Sequence, residues 1–394
     1  VVKSGFSFAR TPRIVFGCGS LERLPEQVGQ FGTRILLVTG ARALRASGTW
    51  QDVVDGLRRV GTIVAHVAVS SEPSPHLVDE AVAALRPKGV EVVVAVGGGS
   101  ALDAGKAISA VLPTHESVMA FLEGVGDPGR HHGHKVPFVA VPTTAGTGSE
   151  ATKNAVLTMR GPDGFKKSLR HDHFVPDVAL VDPLLARTCP PELTAACGMD
   201  AFTQLLESYV STGASPLTDL LALEGMRRVR DYLYRAVTNG LTDWQAREGM
   251  AYAALLSGLT LANAGLGVVH GLAGPLGAVA PVPHGVACGT LLAAATKMTI
   301  ATLQQKGDEQ STLALAKYAR VGQLLTGDHG DHKLQCQRLI DVFVQWSEDF
   351  RLPRLGMFGL EAAHLRKVAQ EGENKNNPAL LTEEQRLALL MERL

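Results

Sequence analysis

The chain has 394 residues, 45% of them hydrophobic and 19% charged, which supplies a large dry interior and exceeds what one small core needs. Lys plus Arg and Asp plus Glu stand at 38 each with no long single-sign block, excluding the electrostatic footprint of a nucleic-acid binder or a membrane-surface protein. A low aromatic fraction of 5% and 42 glycines fit an α/β protein with many tight turns better than a β-sandwich.

The opening, Val1-Val2-Lys3-Ser4-Gly5-Phe6, lacks the apolar core of a secretory signal. Arg34–Thr39 is a short β-branched run, and a helical stretch follows through Trp50–Val60. Gly61–Val69 reads as the next strand and His76–Leu85 as a helix. Glu91–Val96 is apolar throughout, as a strand buried on both faces should be. A glycine turn, a helix through Leu112 and a strand at Val136–Val141 complete a βαβαβ rhythm, which predicts a parallel, doubly wound sheet.

Between Asn154 and Pro183 the strands become polar-spaced and include Val178–Val181. After Pro190-Pro191 strand signals nearly vanish. Helix-period segments occupy Glu192–Ser211, Pro216–Thr238, Asp243–Ala264, Gly285–Gln305, Thr312–Leu325 and Leu334–Phe350, and a last helix starts near Thr382. Two domains are expected, 1–188 α/β and 189–394 all-helical. No uninterrupted apolar stretch looks long enough to span a bilayer. The basic pairs Arg227-Arg228 and Lys166-Lys167 read as solvated surface. Cys18, Cys189, Cys197, Cys288 and Cys336 are odd in number and contain no CxxC pair, so neither a disulfide framework nor a cysteine zinc site is expected. A reducing, cytoplasmic setting follows.

Four segments carry chemistry. Gly97-Gly98-Gly99-Ser100 lies between a buried strand and a helix, where bare backbone and a helix N-terminus suit a pyrophosphate. The same Ser100-x-x-Asp103 would equally serve as an ordinary helix cap. Pro142-Thr143-Thr144-Ala145-Gly146-Thr147-Gly148-Ser149-Glu150 gathers hydroxyls at the end of a strand, where a parallel sheet binds ligands. A plain Ser/Thr/Gly loop is the alternative. Asp200 and Gln204 point the same way on one helix, either as a polar stripe or, given Phe202, Leu205 and Leu206, as buried groups needing partners. His270 and His284 bracket one glycine- and proline-rich loop, and each could be a satisfied core histidine. With Asp200 they would form a carboxylate and two imidazoles with an open position, suited to Zn²⁺ or Fe²⁺ as a Lewis acid. His131-His132-x-His134 reads as a solvated loop.

Together these residues resemble the iron-containing (group III) alcohol dehydrogenase family. The resemblance runs from Pro12–Gly19 through GGGSALDAGK, PTTAGTGSEAT, Val178–Pro183, GMDAFTQ and the two-histidine segment to Asn374–Thr382. It implies a dehydroquinate synthase-like fold: an α/β N-terminal dinucleotide-binding domain with a parallel sheet and an all-α C-terminal domain, with the site between them. It implies Gly97, Gly98, Gly99, Ser100 and Asp103 on the pyrophosphate side of NAD or NADP. Thr143, Thr144, Thr147 and Ser149 would face the ribose and nicotinamide, and Asp200, His270 and His284 would hold Fe²⁺ or Zn²⁺.

Two departures stand out. Gln204 occupies the place of a third histidine ligand and could coordinate only as a neutral oxygen, although glycerol-dehydrogenase-like relatives manage with one Asp and two His. Gly274 stands where many members carry a proton-transferring histidine. Thr39-Gly40-Ala41-Arg42 ends the early strand without the Asp that disfavours a 2′-phosphate, so NAD and NADP both stay open. The expected activity is hydride transfer between a small alcohol and its carbonyl by a homo-oligomer. The rivals are a metal-free maleylacetate-reductase-like enzyme, a lyase on the dehydroquinate-synthase scaffold, and a non-catalytic nucleotide-binding protein.

Overall fold

The computed structural model describes residues 5–161 and 164–394, so the first four positions of the signal-peptide reading lie outside the described residues. The strands are β1 (Arg13–Phe16), β2 (Arg34–Gly40), β3 (Thr62–Val69), β4 (Val92–Gly97), β5 (Phe138–Pro142), β6 (Asn154–Met159), β7 (Phe165–Arg170) and β8 (Val178–Val181). Six of them form one parallel sheet in the order β1-β8-β5-β4-β2-β3. Helices α1 (Leu24–Gly29), α2 (Ala43–Ala46), α3 (Trp50–Arg58), α4 (Pro75–Leu85) and α5 (Gly99–Val111) connect them.

Alternation along the strands sorts the core. Leu36, Val38, Val93 and Ala95 pack with Val78, Val82 and Ile108 of α4 and α5 on one face. Ile35, Leu37, Val92 and Val94 pack with Val28, Val53 and Leu57 of α1 and α3 on the other. The doubly wound expectation holds. The polar-spaced strands divide: β8 joins the parallel sheet, whereas β6 and β7 pair antiparallel as a separate hairpin. β1, noticed only as a motif, is an edge strand of the sheet beside β8.

The second half is helical: α6 (Pro191–Val210), α7 (Pro216–Asn239), α8 (Trp244–Ala264), α9 (Val268–Val279), α10 (His284–Lys306), α11 (Glu309–Thr326), α12 (His332–Asp349), α13 (Ala362–Glu371) and α14 (Glu383–Met391). α6 is buried on nearly every side, because small residues such as Ala196 and Gly198 admit its neighbours closely. Periodicity missed α9, whose interior Pro275 and three glycines look like a loop, and α13. α10 reaches the length and apolarity of a membrane-crossing helix by composition alone, although Lys297 interrupts its apolar run. Its most apolar window is 78% buried within the protein, as for a core helix.

Candidate functional site

Successive connections leave β2 and β4 in opposite directions along the sheet, so their carboxyl ends open a crevice between them. Gly40 ends β2 and Gly97 ends β4, side by side in register. A Cβ on Gly97 would meet Ala101 Cβ at 2.6 Å and Gly40 N at 3.1 Å, and one on Gly99 would meet Thr147 Cγ2 at 2.7 Å. The turn is therefore glycine because backbone and side chains approach too closely for anything larger. α5 begins here with Gly98 as its N-cap and no side-chain cap. The Ser100/Asp103 capping alternative is thereby corrected. Asp103 instead accepts from Ser149 Oγ (2.5 Å) and Val156 N (3.0 Å), tying the glycine-turn helix to the threonine loop and β6.

The threonine loop is pinned from several sides. Thr143 N donates to Gly97 O at 2.9 Å, Thr144 packs against Gly98 and Thr147 against Gly99. The fully buried Lys106 Nζ contacts Ser149 O (2.8 Å), Ser149 Oγ (3.2 Å), Thr152 Oγ1 (2.9 Å) and Asn154 O (2.8 Å). Burial pushes this ammonium down to about 8, against the pull of Asp103 and Glu150. Gly148 adopts φ +61° and backs onto Gly258 of α8, where added Cβ atoms would meet the opposing backbone at 2.5 and 2.2 Å. Two glycines thus let the loop touch the helical half directly.

Across a cleft of about 590 Å³ the helical half presents a polar cluster. Asp200 comes from α6, His270 from the first turn of α9, and His284 and Cys288 from the first two turns of α10. His270 thus lies on a helix, and the loop between the histidines is shorter than the sequence implied. His270 Nε2 lies 3.4 Å and His284 Nε2 3.7 Å from Asp200 Oδ1. Cys288 Sγ lies 3.5 Å from His270 Nε2 and 3.7 Å from His284 Nε2. Asp200, His270, His284 and Cys288 can each direct one donor atom to a common point, with all four within 4.8 Å of one another.

Glu207, one turn beyond Gln204, holds the His270 ring. Its Oε2 accepts from His270 Nδ1 at 2.7 Å while its Oε1 accepts from Val269 N at 2.7 Å, so Nε2 is left to face the cluster. Burial alone would push Asp200 up, but the His284 and His270 imidazoles outweigh it and hold the carboxyl at about 2. Burial works downward on His270 too, yet Cys288, Asp200 and Glu207 keep it well above the usual imidazole range. Burial takes His284 down to about 4 and the Cys288 thiol up to about 12.

A buried carboxylate oxygen without a hydrogen-bond donor is costly, and Asp200 Oδ1 has none. A divalent ion between Asp200 and the two imidazoles would resolve that cost, so the donor set fits the metal expected from sequence. Gln204 is buried on the same helix face, but its Oε1 lies 2.7 Å from Ser257 Oγ and is engaged there. Gly274 lines the cleft with only Lys166 O near a would-be Cβ, at 3.9 Å, so that wall is open.

Other expectations need correction. Lys166 is no solvated surface group: its side chain is only 7% exposed, reaches into the cleft and pairs with Glu72. His131 is buried between the rings of Phe121 and Phe174, with Nε2 3.0 Å from Ala110 O, while His132 and His134 are exposed. Thr147, Ser149, Gly99, Ser100 and Asp103 line the cleft, whereas Gly40, Gly97, Gly98, Thr143 and Thr144 do not, Thr143 and Thr144 lying against Gly97 and Gly98. Glu207 and Cys288 were missed, although each lies at helical spacing, seven residues after Asp200 and four after His284.

Residues 11–183 match the family model for iron-containing alcohol dehydrogenase, and residues 194–394 match the Fe-containing alcohol dehydrogenase family, C-terminal. The chain is 39% identical over 288 residues to long-chain-alcohol dehydrogenase 1 of Geobacillus thermodenitrificans, covering 71% of each. It is 31% identical over 374 residues to the NADPH-dependent butanol dehydrogenase of Clostridium saccharobutylicum, covering 94% of this chain and 89% of that one. Among solved structures, an archaeal halo-thermophilic Red Sea brine pool alcohol dehydrogenase superposes with TM-score 0.90 at 27% identity over 100% of both chains. A 1,3-propanediol oxidoreductase gives TM-score 0.86 at 29% identity, covering 99% of this chain and 100% of that one.

Proposed function

Because the chain belongs to the iron-containing alcohol dehydrogenase family, we propose that its cleft transfers a hydride between a small alcohol and a nicotinamide cofactor, with Asp200, His270 and His284 holding the ion. The observation that carries this is the buried, donorless Asp200 Oδ1 facing two imidazole nitrogens, across one cleft from an uncapped helix N-terminus. Bound there, Fe²⁺ or Zn²⁺ would supply Lewis acidity toward the substrate oxygen.

The chain's own residues do the positioning. Gly97, Gly98, Gly99 and Ser100 offer backbone N–H groups to a pyrophosphate at the start of α5, and Asp103 holds Ser149. Thr147 and Ser149 line the cleft where the ribose and nicotinamide would lie, backed by Thr143 and Thr144 of the same loop, with Gly40 at the end of β2. Glu207 fixes the His270 ring, and Gln204 shapes the floor through Ser257. With no side chain at Gly274, the proton leaves through water in the open cleft or through the cofactor ribose. Gly40-Ala41-Arg42 places no carboxylate at the end of β2, so the cofactor is NAD or NADP, and the screen below distinguishes them.

The enzyme is further assigned to the cytoplasm as a homo-oligomer acting on free small molecules, without nucleic-acid or membrane partners, and with its halves dividing at 188/189. The test is a spectrophotometric screen of alcohols and aldehydes with both cofactors, before and after chelation. Turnover that disappears on stripping and returns with Fe²⁺ or Zn²⁺ is expected. Full activity in stripped protein would transfer the chain to the metal-free reductase reading.

A further inference from the structure

We propose that Cys288 is a fourth donor to the ion, so that Asp200, His270, His284 and the Cys288 thiolate hold it together and the sulfur biases the site toward Zn²⁺ over Fe²⁺. This rests on the metal reading above and adds to it a ligand and a preference.

Geometry carries the argument. An ion held tetrahedrally with bonds of about 2.0–2.3 Å needs donors roughly 3.3–3.6 Å apart. Four of the six separations are 3.4 and 3.7 Å from Asp200 Oδ1 to the two imidazole Nε2 atoms and 3.5 and 3.7 Å from Cys288 Sγ to the same nitrogens, and all six are within 4.8 Å. The sulfur therefore lies as close to each imidazole as the carboxylate does. It stands there because His284 and Cys288 are four residues apart on α10, one above the other on the same helical face. Gln204, the other candidate for a fourth donor, has its oxygen at Ser257.

Cys288 is fully buried and does not line the cleft, whereas His270 and His284 do. The thiolate would thus close the protein side of the site and leave the cleft side to substrate, within the five-coordinate range zinc tolerates. Thiolate and carboxylate together cancel the ion's double charge in this dry surrounding. A soft sulfur donor favours Zn²⁺ over Fe²⁺ beyond the ordinary order of affinities. On loading, the thiol proton passes to solvent and a sulfur–metal bond takes its place.

The test uses Co²⁺ as a spectroscopic probe in stripped, full-length protein. Wild type is expected to show visible d–d bands together with a near-ultraviolet thiolate-to-cobalt charge-transfer band. Cys288→Ser and Cys288→Ala keep the d–d bands and lose the charge-transfer band, while Cys197→Ser keeps both. Competition between Zn²⁺ and Fe²⁺ should show the zinc preference falling roughly tenfold or more in Cys288→Ser. X-ray absorption of Zn²⁺-loaded wild type, which needs no variant, should find one sulfur at about 2.3 Å. Cobalt bound with d–d bands but no charge-transfer band, or a band surviving in Cys288→Ser, overturns the thiolate ligand and leaves the metal reading standing. No cobalt bound at all overturns both.

Discussion

His270 sits between two buried carboxylates, Asp200 at 3.4 Å and Glu207 at 2.7 Å, and burial is outweighed by Cys288 and these partners in holding its pKa well above the usual value. The Nε2 that faces Asp200 is the atom a metal would take, so proton and metal compete for it. The ring's raised pKa stabilises the metal-free fold fully below the unfolded value, and that contribution fades as pH rises through the folded one. Metal uptake has to displace this proton, so affinity should tighten steadily from about pH 6 upward. Titrations with Zn²⁺ in buffers of different ionisation enthalpy would measure proton release; an affinity flat with pH contradicts the competition. Glu207→Gln offers one acceptor to two donors, Val269 N–H and His270 Nδ1–H, and should weaken metal binding by roughly 10–100-fold. Equal affinities in the variant and wild type would mean that the ring needs no holder. At this scale Asp200, His270 and His284 were legible because the family motif names them. Cys288 and Glu207 were not, since a lone Cys and a helical Glu mean nothing until α6, α9 and α10 converge.

Elements place these side chains through close backbone contact. Gly258 of α8 lies against Gly148 of the threonine loop, where a Cβ would come within 2.2 Å of Gly148 O. Alanine there should gain about 1 kcal/mol of helix propensity, yet the clash forces loop and helix apart. Gly258→Ala is expected to raise KM for the cofactor several-fold and to lower the urea midpoint. An unchanged KM with a higher midpoint would show that the loop does not depend on this contact. Sequence periodicity found β2, β3, β4, β5 and β8 and most long helices, because buried strands and amphipathic helices keep distinct spacings. It left the Ser100-x-x-Asp103 pattern open between a cap and a ligand turn, and the carboxylate goes to Ser149 and Val156 instead of a cap. The competing donors come from a distant loop and strand, which local spacing does not reveal.

At the scale of the molecule, the cleft has the glycine turn on one side and the Asp200, His270 and His284 cluster on the other, so a ligand spanning both should bind only when both halves are folded. Nicotinamide cofactor at about 100 times its Kd should add about 2.7 kcal/mol of stability and raise Tm by a few degrees, with a further rise when Zn²⁺ is present. A melting temperature indifferent to cofactor would remove the cleft from its role. The sequence by itself determined the parallel sheet, the helical second half and the identities of the glycine turn, the threonine loop and three of the cluster's donors. Those follow from local periodicity and from residue types recognisable wherever they stand. Only the tertiary structure decided that Cys288 faces the imidazoles, that Gln204 turns to Ser257, that Lys166 enters the cleft and that His131 is core. Each of these depends on which distant surfaces pack together, and the energy of burying a polar group is set by neighbours far away in the chain.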